Sequence, residues 1–277
     1  MDYQITKDDI VINKDKSIGN VLFIVEGSKT EFFIIKKIFK DIFDYTYQSL
    51  NRNGKEFPKY QSQKKENSSV FVINTESSHI SSIIDKQEYL DNLFQVLSEK
   101  YKFDIDNSSI YFIFDRDRDP ESESEEHREY IKSLITNLTN ALDIDDSRND
   151  EFKFNRQGLL LLSYPAIEAF TSSNFIDNSH NLNYKIGADL KDYLELEKIN
   201  QSKINEDSLK QAVFEMIKYI NVIQNKEFDI DEFSQLNLEV FDNQEKFYLT
   251  NQSYKIFSSL CVALIDLGLI QIQGDEY

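Results

Sequence analysis

Four acidic residues stand where short apolar runs end: Glu26 after Val21–Val25, Asp115 and Asp117 after Ile110–Phe114, and Glu168 shortly after Gly158–Ser163. Carboxylates gathered within a few ångströms shift one another's pKa unless a cation neutralises them. If the four converge, a hard divalent ion is expected among them, and with no His or Cys alongside, the oxygen-only donor set favours Mg²⁺ or Mn²⁺ over Zn²⁺. A Mg²⁺ so held polarises a phosphodiester, generates hydroxide near neutral pH and stabilises the leaving oxygen. That is phosphoryl transfer to water or to a sugar hydroxyl. Lys29, three residues after Glu26, and Arg116, between two of the acids, are the cations placed to meet a phosphate. Each position also has a purely structural reading. Gly27, Thr30 and Glu31 suit a turn and a helix start, the Asp115–Asp119 run suits a solvated loop of self-pairing charges, and Glu168 suits the exposed side of a helix after Pro165. Lys29 suits a surface lysine, and Arg116 suits an internal salt bridge.

Composition bounds these options. The chain has 277 residues, 49 acidic against 31 basic, and a net charge of −18 at pH 7. A polyanion of this kind is repelled by a phosphate backbone unless metal ions or a local basic patch intervene, which excludes a general DNA coater. With 21 Phe and 15 Tyr there is ample material for a core. The single Cys261 excludes a disulfide framework and a Cys-rich zinc site. His79, His127 and His180 form no metal-ligand spacing. The absence of a long apolar run and of a signal-like segment leads to the expectation of a cytoplasmic protein without membrane contact.

The elements that must position the acids follow from hydrophobic periodicity. Val21–Val25, Val70–Ile73, Ile110–Phe114 and Gly158–Ser163 are apolar throughout and strand-sized. Between them lie stretches of helical spacing from Thr30 to Phe43, from about Ile83 to Tyr101, and through Tyr130, Leu134 and Leu138 to Leu142. Strands apolar on both faces that alternate with helices predict an α/β fold, with a parallel four-stranded sheet flanked by helices. Ligands of such sheets collect at the carboxyl ends of the strands, where these acids are expected. The polar, Lys-rich stretch 48–69 reads as an insertion or mobile loop. From about residue 181 to 277 helical spacing dominates, which predicts a helical C-terminal appendage to a catalytic domain over 1–180.

Val25-Glu26-Gly27-Ser28-Lys29-Thr30-Glu31 after one apolar strand and Phe114-Asp115-Arg116-Asp117 after another resemble the Toprim domain of topoisomerases, bacterial primases and OLD-type nucleases. Together with Ser163-Tyr164-Pro165-Ala166-Ile167-Glu168 they look closest to small Toprim-like proteins of bacterial anti-phage systems, such as the RloB-like group and the Toprim partner of the PARIS system. The resemblance covers roughly the first 175 residues. It implies that Glu26, Asp115 and Asp117 bind the metal, with Glu26 as ligand or general base, and that Glu168 is a further acidic ligand. The long gap between Glu26 and Asp115 and the extended D-R-D-R-D run depart from the family pattern, so Asp119 is left unassigned. The function implied is a Mg²⁺-dependent nuclease, the toxic effector of a defence or abortive-infection system. DNA and RNA, tRNA included, both remain open as substrates. No Walker A motif is present, so a separate ATPase chain is the expected regulator, and a homodimer is compatible. The alternative is a non-catalytic acidic interaction protein, either a nucleic-acid mimic or a degenerate Toprim subunit. Primase or topoisomerase activity would need a zinc ribbon or a nucleophilic Tyr domain, for which the chain leaves little room.

Overall fold

The computed structural model describes residues 5–52, 55–75, 87–105, 107–116, 124–139, 158–224 and 228–273. The four apolar runs are strands, and they lie side by side: β2 (Asn20–Val25), β5 (Ser69–Asn74), β6 (Ser108–Asp115) and β7 (Leu159–Tyr164), after a short β1 (Ile10–Ile12). β2 is parallel to β5 on one side and to β6 on the other, and β6 is parallel to β7. All four carboxyl ends therefore lie along one edge of the sheet.

The whole sheet is larger than the four strands expected, and it is mixed. Its seven strands run β10-β7-β6-β2-β5-β4-β3. The stretch expected to be an insertion or mobile loop contributes two of them, β3 (Thr46–Arg52) and β4 (Lys55–Gln61), an antiparallel hairpin that pairs with β5. β3 is the edge strand and β4 pairs with β5 only over Lys59–Gln61, so both can carry polar residues on an exposed side, which is why no continuous apolar run marks them. At the other edge β10 (Phe257–Ser258) pairs antiparallel with β7.

Aromatic packing fixes a layer on each face. α1 (Thr30–Lys36) continues as a π-helical turn over Lys37–Ile42, and its Phe39 ring lies 5.8 Å from Phe23 of β2 and 6.1 Å from Tyr60 of β4. Phe71 is registered with Leu22 and so faces the other way from Phe23. Its ring is 4.7 Å from Phe103, just beyond α2 (Gln87–Tyr101). α3 (Glu125–Thr139) precedes β7, and α4 (Glu168–Phe175) follows it.

The C-terminal residues are helical as expected, with α5 (Gly187–Leu196), α6 (Glu206–Gln224), α7 (Phe233–Asn251) and α8 (Leu260–Asp266), but they also complete the sheet layers. One continuous hydrophobic core runs from Ile10 through the central strands to Leu209, Phe241 and Ile270. β11 (Ile270–Ile272) pairs with β1, and the short β8 (Asn183–Tyr184) pairs with β9 (Tyr254–Lys255). Asn237 of α7 donates to the Leu160 carbonyl at 2.7 Å, and Ser259 donates to Leu162 O at 2.8 Å.

Candidate functional site

The chain leaves β2 for β5 on one side and later enters β6 on the other, so the connections diverge from the β2/β6 boundary. In open α/β sheets this switch point forms the crevice where ligands bind. Glu26 follows β2 and Asp115 ends β6, the two strands that flank it.

Backbone contacts hold this pair. The Asp115 N–H donates to Glu26 Oε2 at 2.9 Å, and the Glu26 N–H donates to the Ile113 carbonyl at 3.1 Å. Asp115 Oδ1 in turn accepts the Ile167 N–H at 2.8 Å, from the turn into α4. Both side chains are half-buried. A carboxylate that accepts a backbone N–H has its orientation fixed.

The Gly27–Glu31 segment has its own lock. Glu31, 6% exposed, accepts the Gly27 N–H on Oε1 at 2.9 Å. A Cβ at Gly27 would lie 2.7 Å from Glu31 Oε2, so any larger residue there would push the Glu31 carboxylate aside and disturb this hydrogen bond. Glu31 thus serves the turn and helix start, and its spacing four residues after Gly27 is the signal that marks it. Lys29 is the residue before α1 and is exposed.

Not every expected site residue joins the pair. Glu168 opens α4 beside Ile167 and is half-buried. Among the described residues, however, no three His, Cys, Asp or Glu side chains are gathered closely enough to hold a metal ion, so Glu26, Asp115 and Glu168 do not make a three-carboxylate cage. Asp117, Arg118, Asp119 and His79 lie outside the described residues. Arg116 differs most from its expected role as a phosphate contact. It is 2% exposed, its Nε is 3.0 Å from Glu245 Oε1, and its guanidinium lies 5.8 Å and 5.9 Å from the Phe241 and Tyr254 ring centroids. The structural reading of an internal ion pair fits these contacts, with Glu245 of α7 as a partner.

The residues present fit Mg²⁺ in a limited way. Mg²⁺ is commonly held by one or two carboxylates, with waters and substrate phosphates completing its six ligands. Glu26 and Asp115 supply such an all-oxygen pair at an accessible strand edge. An all-protein cage is not what they form.

A second polar cluster escaped the sequence reading. Glu215 of α6 is buried and accepts from the Asn178 N–H at 3.0 Å, Lys218 Nζ at 3.2 Å and Gln211 Nε2 at 3.1 Å, with His180 Nδ1 3.0 Å from its other oxygen. Burial pushes its pKa up, but the hydrogen bonds from His180, Asn178 and Lys218 outweigh that and hold it down at about 2. Burial raises the Cys261 thiol well above its ordinary value, which makes it an inert core residue. No helix of the described residues is long and apolar enough to cross a membrane.

No family model matches the chain, and neither a curated protein nor a solved structure matches it.

Proposed function

We propose that this protein is a metal-dependent nuclease of Toprim type, which hydrolyses phosphodiester bonds of DNA or RNA at the carboxyl edge of β2 and β6. The observation that carries the reading is the Glu26–Asp115 contact at the β2/β6 switch point. Glu26 and Asp115 would hold Mg²⁺ or Mn²⁺, with Asp117 as a further candidate ligand, whereas Glu168 would need to move to join them. The ion, when bound, supplies charge for the scissile phosphate and acidifies water.

The chain's own contribution is placement. The two carboxylates are oriented by backbone N–H groups before substrate arrives, so little reorganisation is left for the reaction itself. Lys29, exposed three residues after Glu26, would contact the phosphate. Arg116 anchors the segment that follows Asp115 by binding Glu245 and accordingly acts on the site through position.

On this reading the protein is the toxic effector of a bacterial anti-phage or abortive-infection system, restrained by a partner such as an ATPase chain. The net charge of −18 favours a second reading, a non-catalytic acidic interaction protein. Incubation with plasmid, single-stranded DNA, total RNA and tRNA, each with Mg²⁺, Mn²⁺ or EDTA, separates the two. The nuclease reading expects metal-dependent cleavage that falls at least about a hundredfold in Glu26→Gln and Asp115→Asn, a loss typical of removing a group that stabilises transition-state charge. No cleavage, together with no Mg²⁺ binding by calorimetry, would establish the second reading.

A further inference from the structure

The exposed side of α1 departs from the acidic character of the chain. Lys29, Phe33 and Lys36 are spaced four and three residues apart, which places them on one face of a helix over about 10 Å of its length. All three are exposed, and Lys40 is exposed in the π-helical turn that follows. Lys36 Nζ lies 5.5 Å from the centroid of the Tyr47 ring on β3. Among the described residues five large hydrophobic side chains are exposed, and the two aromatic ones are Phe33, 36% exposed, and Tyr47, 41% exposed. The Tyr47 ring packs 5.7 Å from that of Tyr60, tilted by 57°.

Charge follows the same division. Residues 28–65 carry nine Lys and Arg against four Asp and Glu, within a chain of net charge −18. Of those acids Glu31 is buried on the Gly27 N–H, and Asp41 is 2.8 Å from Lys37. The stripe begins at Lys29, three residues from Glu26.

Resting on the nuclease reading, we propose that the face of α1 marked by Lys29, Phe33, Lys36 and Lys40, with Tyr47 of the hairpin, is the track along which a single-stranded nucleic acid reaches the Glu26–Asp115 edge. Lysines at intervals neutralise successive phosphates, and exposed aromatic faces stack unpaired bases, which a duplex keeps inside its own stack. This pairing of cation and ring is the general chemistry of single-strand grooves. The rest of the surface, strongly acidic, repels a strand that leaves the track.

The test is fluorescence anisotropy of labelled oligo(dT) and oligo(rU) of about 12 nucleotides, within the usual site size of such grooves, with the full-length protein in EDTA so that binding is read without turnover. Tyr47→Ala is expected to weaken binding about tenfold or more. In Lys36→Gln/Lys40→Gln the slope of log affinity against log salt should fall by about 0.7 for each lysine removed, and Lys36→Arg/Lys40→Arg should restore it. Thermal unfolding of every variant checks that the fold is intact. Unchanged affinity in the folded variants, no binding of either oligonucleotide by the wild type, or equal affinity for a duplex of the same length would overturn the proposal. The two oligonucleotides separate DNA from RNA. Parallel cleavage assays keep the two readings apart. Stripe-dependent binding without cleavage would defeat the nuclease and keep the track, whereas cleavage with variant-independent binding would do the reverse.

Discussion

Asp115 and Arg116 are consecutive residues that end in different surroundings. The Asp115 carboxylate is half-buried and accepts a backbone N–H from the turn into α4, while its own N–H reaches Glu26. The Arg116 side chain is buried, ion-paired with Glu245 and flanked by two aromatic rings. The first arrangement orients a carboxylate at the sheet edge. The second ties that edge to α7, and its backbone N–H, shared between Ser163 O at 2.9 Å and Pro165 O at 3.0 Å, ties it to β7 as well. The contrast teaches that charge in this molecule divides by burial: buried charges such as Arg116 with Glu245 and Glu215 with Lys218 hold elements together, and the half-buried carboxylates at the strand ends are where chemistry is to be sought.

The largest effect should come from breaking the buried pair. Arg116→Ala leaves Glu245 in the interior without its guanidinium, and loss of one partner of a buried pair costs about 3–5 kcal/mol. Urea unfolding should show this as a lower midpoint with an unchanged slope. A loss below about 1 kcal/mol would mean that Glu245 finds water or another donor, and the distinction between the two regions would then weaken.

Glu215 provides the second test of buried charge. Its pKa is depressed from the ordinary 4.5 to about 2, so its contribution is fully present above about pH 4.5 and is lost as pH falls toward 2. The shift corresponds to at most about 3 kcal/mol of stability at neutral pH. The groups facing it are His180, Lys218, Gln211 and the Ser179 hydroxyl, with the Asn178 N–H. Glu215→Gln should be less stable than wild type at pH 6, and the gap should close progressively below about pH 4.5 in urea titrations. A gap that stays constant with pH would show that the cluster acts through shape and not charge.

The sequence made the interior of this fold readable and its borders obscure, for a physical reason. Val21–Val25, Val70–Ile73, Ile110–Phe114 and Gly158–Ser163 are covered on both faces, so nearly every position is apolar, and each was expected within a residue or two of its observed strand. The β3–β4 hairpin is an edge, where Gln48, Ser49 and Lys59 are tolerated and Pro58 lies opposite Ser49. Its best clue was the Asn53-Gly54 pair, a hairpin-turn signal between Tyr47–Leu50 and Phe57–Tyr60. Two-residue strands such as β10 carry no periodicity at all. The positions of Glu26 and Asp115 at strand ends were legible because the apolar runs before them could be counted. The role of Arg116 was not, since Glu245 lies 129 positions further along the chain.

A smaller effect within the buried region is expected from Tyr254→Phe. Its hydroxyl donates to Glu245 Oε1 at 3.1 Å, the oxygen that also meets Arg116. Removing a hydrogen bond to a charged group costs about 1.5–3 kcal/mol, with the low end expected because Arg116 still holds the carboxylate. In a double-mutant cycle with Arg116→Ala the two losses should be non-additive, as they share a partner. Additive losses would separate the tyrosine from the ion pair.

The smallest change in stability should fall at Glu26, on which the nuclease reading rests most heavily. In Glu26→Gln the side-chain oxygen can still accept the Asp115 N–H, so a change within about 1 kcal/mol is expected in urea unfolding. The negative charge is gone, however, and with it half of the carboxylate pair available to a divalent ion. Cleavage and Mg²⁺ affinity should therefore fall together while the fold stands. If Glu26→Gln unfolds the protein as readily as Arg116→Ala, Glu26 belongs with Glu245 as an internal tie between strands. If it is stabilised instead, the wild type holds carboxylates that repel each other in the absence of metal, and Mg²⁺ should then raise the wild-type melting temperature but not that of the variant.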